Sequence, residues 1–100
     1  MIRELRLEDL DSVNNLLSEF NYKLSKKSLS NPFFKSFVFV EEEIKGVIVY
    51  NLIYDRIEIE YIIVSNDFKE KGIGTKLLKM IEKENVTNIT LEVRESNERI

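Results

Sequence analysis

The sequence contains neither cysteine nor histidine. Lack of cysteine rules out a disulfide framework, a thiolate nucleophile and a cysteine-ligated zinc. Lack of histidine removes the usual general base, the commonest metal ligand and the Ser-His-Asp arrangement together. Chemistry here has to rest on carboxylates, lysines, hydroxyls and backbone amides. Long apolar runs are also missing: the longest are about four residues, far short of the roughly 20 that span a bilayer. The start, Met1-Ile2-Arg3-Glu4, is charged and lacks the apolar stretch of a signal peptide. The expected location is therefore cytoplasmic, with no membrane partner. A formal charge of -3 argues against general affinity for nucleic acid, although a local basic patch can still hold a small anion.

What is present fits one globular domain over residues 1–100. An apolar fraction of 43% with mixed periodicities is enough to enclose a core. Ile2 to Leu7 reads as a short strand. From Glu8 a helix is expected, with Leu10, Val13, Leu16, Leu17 and Phe20 at three- and four-residue steps. Glu8, Asp9 and Asp11 at its start oppose the helix dipole favourably and read as helix-start residues rather than catalysts. Tyr22 to Ser30, polar and rich in lysine, reads as a second short helix broken at Asn31-Pro32. Phe33, Phe34 and Phe37 are core candidates, with a substrate groove as the alternative. A meander follows: a strand over Phe37 to Glu41, a turn over Glu42 to Lys45, a strand over Gly46 to Asn51, and a turn at Asp55-Arg56. Glu41, Glu42 and Glu43 read as a solvated turn rather than a cation site.

The stretch from Ile57 to Glu84 organises the chain. Ile57 to Val64 is strand-like, with Ile57, Ile59, Tyr61 and Ile63 expected on one face. Glu58, Glu60, Ile62 and Val64 are expected on the other. The charged turn from Ser65 to Lys71 leads to Gly72-Ile73-Gly74, and a helix then carries Leu77, Leu78 and Ile81. The chain has three glycines, and two stand in this corner, where backbone must approach something closely or take φ > 0. A strand running through such a corner into a helix start presents unpaired N–H groups and the positive end of a helix dipole. That is a cradle for phosphate or diphosphate, with Lys69, Lys71 and Lys76 around it. The plainer alternative is a tight bend eased by glycine. Asn88 to Arg94 reads as a further strand, so strand, helix and strand imply a parallel crossover pair.

Lys69-Glu70-Lys71-Gly72-Ile73-Gly74 resembles the Arg/Gln-x-x-Gly-x-Gly/Ala signature of the GNAT superfamily of acyl-CoA-dependent N-acetyltransferases. Leu91-Glu92-Val93-Arg94-Glu95-Ser96-Asn97 is similar to the corresponding phrase of the enzymes that acetylate ribosomal-protein N-terminal alanine. The resemblance implies an α+β fold with a mixed, largely antiparallel sheet flanked by helices, and acetyl-CoA as co-substrate. By it, the backbone at Ile62, Ile63 and Val64 pairs with the pantetheine arm. The amides of Glu70, Lys71, Gly72, Ile73, Gly74 and Thr75 hold the diphosphate, and Asn97 bonds to the cofactor. Glu92 matches the general base of the ribosomal-protein enzymes, and Glu58 the base position of other branches. The implied acceptor is an amine, such as a ribosomal-protein N-terminus.

An amine must be neutral to attack a thioester. At pH 7 deprotonation costs roughly 1 kcal/mol for an N-terminus and nearly 5 for lysine, so a single carboxylate base suits the N-terminal amine better. The sequence departs from the family in three ways. Lys69 keeps positive charge but loses the planar hydrogen bonding of Arg or Gln. The sequence ends where the family continues into another helix and two strands. The family's general-acid tyrosine lies in that helix, whereas Tyr22, Tyr50, Tyr54 and Tyr61 all come earlier. The expectation is a shortened domain whose last strand is an exposed edge, so that either the sequence is a fragment or a partner chain, such as a second copy in a homodimer, covers it. Two rival readings are a catalytically inactive GNAT-like binding or regulatory protein and a dinucleotide-binding module, in which Gly72-Ile73-Gly74 begins Gly-x-Gly-x-x-Gly.

Overall fold

The structure, a computed structural model, describes residues 1–66 and 72–83 and the backbone of 88–91. Its strands are β1 (Ile2–Glu4), β2 (Phe34–Glu41), β3 (Glu43–Ile53), β4 (Arg56–Val64) and β5 (Asn88–Leu91). They form one sheet in the order β1-β2-β3-β4-β5, antiparallel as far as β4, with β5 parallel to β4. The helices are α1 (Leu10–Ser18), preceded by a 3-10 turn over Leu7–Asp9, the single turn α2 (Lys26–Leu29), and α3 (Ile73–Ile81). The sheet is covered on both faces. Val13, Leu16 and Leu17 of α1 join Leu5, Leu24, Val38, Val47, Val49, Tyr61 and Ile63 in one core. On the opposite face Ile73, Leu77 and Ile81 of α3 join Phe39, Ile48, Tyr50, Ile57, Ile59, Ile62 and Val64.

The helices follow the expected periodicity, but their ends are set by particular groups. Asp9 is buried and accepts from both guanidinium nitrogens of Arg3, at 2.7 and 3.0 Å, and from the Arg6 amide at 2.7 Å. The hydrogen bond from Arg3 holds its carboxyl below the usual aspartate value, against the opposing effect of burial. α1 stops at Ser18, and Phe20 lies past its end. Asn21 takes φ 63° and the Tyr22 amide reaches back to the Leu17 carbonyl at 3.1 Å, a left-handed helix stop. The expected helix from Tyr22 to Ser30 shrinks to Lys26–Leu29, started by Ser25, whose hydroxyl accepts from the Ser28 amide. The residues before it are claimed by Asn14, whose amide side chain accepts from Leu24 N at 2.7 Å and donates to Leu24 O at 2.9 Å.

The strands depart further from the sequence reading. β2 begins at Phe34 rather than Phe37, and β3 extends from Glu43 to Ile53, because pairing from Phe34↔Asn51 to Glu41↔Glu43 recruits the flanking residues. The turn expected over Glu42 to Lys45 is therefore confined to Glu42, at φ 69°. Two register shifts matter more. Phe39 faces Gly46 while Val40 faces Ile44, which makes Lys45 an extra residue. Val49 faces Tyr61 while Tyr50 faces Ile59, which makes Glu60 an extra residue in β4. A bulge flips the faces beyond it. Ile57 and Ile59 consequently belong to the α3 core, and Tyr61 and Ile63 to the α1 core. The single-face assignment of these four residues is overturned.

Candidate active site

The junction between β4 and α3 is built from two glycines. Gly72 is the N-cap of α3 at φ 74° and ψ 17°, and among the described residues no side chain caps the helix start. Lys76 N donates to Gly72 O at 3.0 Å, and among the described residues no carbonyl takes up the amides of Ile73, Gly74 and Thr75. Three donors and the positive end of the helix dipole are thereby left for an anion. The second glycine is Gly46 on β3. A Cβ built there would stand 2.8 Å from Ile73 Cγ2 and 3.4 Å from Leu77 Cδ1. The first turn of α3 thus rests directly on sheet backbone, and Ser65 N donates to Lys45 O at 2.9 Å to hold the end of β4 against the same segment. Sequence reading missed Gly46, since an isolated glycine in a strand carries no label for the helix that crosses it.

β4 supplies the second part of the site. One edge of Ile62, Ile63 and Val64 pairs with Ile48, Val47 and Gly46. On the other edge the pairing with β5 is described from Arg56 to Ile59. From the bulge at Glu60 to Val64 that edge has no partner strand among the described residues. An extended ligand can take up such a row of main-chain groups.

Of the acids, Glu58 pairs with Arg56 at 2.9 Å. Glu60 accepts from Asn51 Nδ2 at 2.6 Å and was not among the expected site residues. The signal for it lay in the four consecutive apolar residues Tyr61 to Val64, which strict alternation does not allow on a half-wet strand. Tyr61 beside it is buried, and its ring lies 4.6 Å from that of Tyr22. Burial, with Glu60 and Tyr22 adding to it, raises the Tyr61 phenol above the ordinary tyrosine value. This keeps the group neutral and weakens it as an acid. Lys76 sits with Nζ 5.5 Å above the Phe39 ring. The expected cradle residues Lys69, Glu70 and Lys71, and the expected site residues Glu92 and Asn97, lie outside the described residues.

A profile of the Acetyltransferase (GNAT) family matches residues 2–99. The chain belongs to the GNAT acetyltransferase family. As a GNAT acetyltransferase it uses acetyl-CoA as co-substrate. Similar solved structures include the ribosomal-protein-S18-alanine N-acetyltransferase of Escherichia coli, at TM-score 0.80 and 22% identity, covering 98% of this chain and 69% of that one. An acetyltransferase of Vibrio fischeri aligns at TM-score 0.79 and 22% identity over 93% of this chain and 95% of its own. An aminoglycoside N-acetyltransferase in complex with CoA aligns at TM-score 0.81 and 14% identity, covering 98% of this chain and 82% of that one. Comparison with curated protein sequences gave no match. The GNAT sheet, a sequential meander with one parallel strand, is not the doubly wound sheet that the dinucleotide reading requires.

Proposed function

We propose that this GNAT domain transfers acetyl from acetyl-CoA to a protein N-terminal α-amine by direct attack. The observation that carries the reading is the start of α3 at Gly72, with no side-chain cap among the described residues, beside a β4 edge that has no partner past Ile59 among the described residues. The donors of Gly72, Ile73, Gly74 and Thr75, continued by Glu70 and Lys71, would hold the diphosphate. The backbone of Ile62, Ile63 and Val64 would pair with the pantetheine arm, and Asn97 would complete the contacts. Bound acetyl-CoA supplies an activated acyl group. The chain's own task is to take the amine's proton, a role assigned to Glu92, with Glu58 as second candidate.

The E. coli neighbour acts on a ribosomal-protein alanine, and by that analogy a ribosomal-protein N-terminus is the proposed acceptor. The modest cost of deprotonating an α-amine supports the same choice. A homodimer covering the outer edge of β5 is part of this proposal. The test is calorimetry with CoA, followed by thiol release with an Ala-starting peptide. Binding and turnover are expected, and Glu92→Gln should slow turnover by about 10²–10⁴-fold while leaving CoA affinity unchanged. Binding without turnover would favour an acyl-CoA-binding or regulatory protein. No heat with CoA would remove the cofactor assignment.

A further inference from the structure

The large apolar side chains exposed among the described residues are Met1, Leu7, Phe33 and Tyr54. Phe33 and Tyr54, 60% and 95% exposed, line one largely apolar groove of about 380 Å³ with Asn31, Asn51 and Ile53. Phe34 and Phe37 took the core role expected of all three phenylalanines, packing against the α1 and α3 cores respectively. Phe33 did not: it stands at the surface, its amide bonded to Asn31 Oδ1 at 2.9 Å.

Tyr54 lies in the β3–β4 turn with φ 56°. That conformation favours glycine or asparagine, and a bulky aromatic residue is uncommon in it. A solvent-exposed turn has no packing reason to keep tyrosine there. Asn51, one of the lining residues, donates to Glu60; Glu58, opposite Asn51 in the strand register, is paired with Arg56. Apolar walls with the Glu60 carboxylate held by a lining residue complement a chain end that carries an ammonium followed by apolar residues. Asn51 faces the α1 side of the sheet, as Val47 and Val49 do, whereas α3 and its open amides belong to the opposite layer. Two ligands arriving at these places do not compete.

We propose that the groove between Phe33 and Tyr54 receives the apolar residues that follow the acceptor's terminal amine, with the Asn51-held carboxylate of Glu60 taking the amine itself. The occupant is a protein N-terminus with apolar or aromatic second and third residues. Asn51 and Ile53 stand two positions apart on one strand, ~7 Å, which is the reach of about two extended acceptor residues. This rests on the acetyl-transfer reading and adds the acceptor's sequence class to it.

The probe is an Ala-Phe-Phe-Gly-Gly-Lys amide with fluorescein on the lysine side chain, compared with Ala-Gly-Gly-Gly-Gly-Lys carrying the same label. Anisotropy is read on the full chain with and without saturating CoA. The aromatic peptide should bind about tenfold more tightly, and Phe33→Ala and Tyr54→Ala should each remove much of that preference. Phe33→Leu should retain it, and the glycine peptide should be unaffected by all three. Acetylating the aromatic peptide's amine should weaken its binding to the native chain and not to Glu60→Gln. Equal binding of the two peptides, no binding of the aromatic one, a preference that survives Phe33→Ala/Tyr54→Ala, or indifference to acetylation would overturn the proposal. Silence toward CoA in calorimetry alongside an intact peptide preference would count against the transfer reading and not against the groove.

Discussion

Gly72 is held at φ 74°, a conformation that costs a residue with a Cβ roughly 1–2 kcal/mol. Among the described residues nothing lies within 4 Å of the position a Cβ would take, so Gly72→Ala should fold with a modest loss. Its larger effect should be on CoA affinity, read by calorimetry, since the methyl would stand at the helix start assigned to the diphosphate. Gly46 presents the opposite balance. Its backbone is not left-handed, but an added methyl collides with the branched Cγ2 of Ile73 at 2.8 Å. Gly46→Ala should therefore lower stability by about 1–3 kcal/mol, in the range of an overpacked core, and weaken CoA binding by displacing α3. Asp9 offers a pH test. Its folded carboxyl is held low by Arg3, so the stabilisation is fully present above the unfolded value of about 3.9. It disappears as pH falls through the lower folded value. Urea midpoints of the native chain and Asp9→Asn should differ at pH 7 and converge as the pH drops below 4.

At the scale of elements, the loop over Asn21 to Ser25 depends on one side chain. Asn14 replaces a missing strand partner by bonding both the N–H and the C=O of Leu24. Asn14→Ala should cost about 1–3 kcal/mol for the two backbone groups left unpaired, and should speed amide exchange at Leu24. Helix positions were legible because amphipathic spacing is a local signal: Val13, Leu16 and Leu17 of α1, and Leu77 and Ile81 of α3, point where their spacing says. Strand lengths were less legible. Phe34 to Ser36 and Glu43 to Lys45 carry no strand signature of their own and are drawn in by the neighbours they pair with. The bulges at Lys45 and Glu60 are cooperative in the same sense, set by which face each flanking segment must bury.

For the whole molecule, the largest consequence is that one sheet serves two cores from opposite faces. The Gly72-Ile73-Gly74 corner and the strand before it were readable because glycine is scarce in this sequence and its clustering stands out. The pairing of Asn51 with Glu60, and the convergence of Phe33 with Tyr54, were not readable. Each joins positions distant in sequence, and only the completed meander brings them together. Among the described residues no helix is long and apolar enough to cross a membrane.

The extra residue in β4 makes that strand a splice between two rhythms half a step apart. Excising Glu60 would force a choice: either Ile57 and Ile59, or Tyr61 and Ile63, must turn away from the layer that shelters them. Exchanging its side chain leaves the splice intact. The Glu60→Gln chain should therefore melt within a few degrees of the native one, whereas a chain shortened by this one residue should fail to give a cooperative thermal transition.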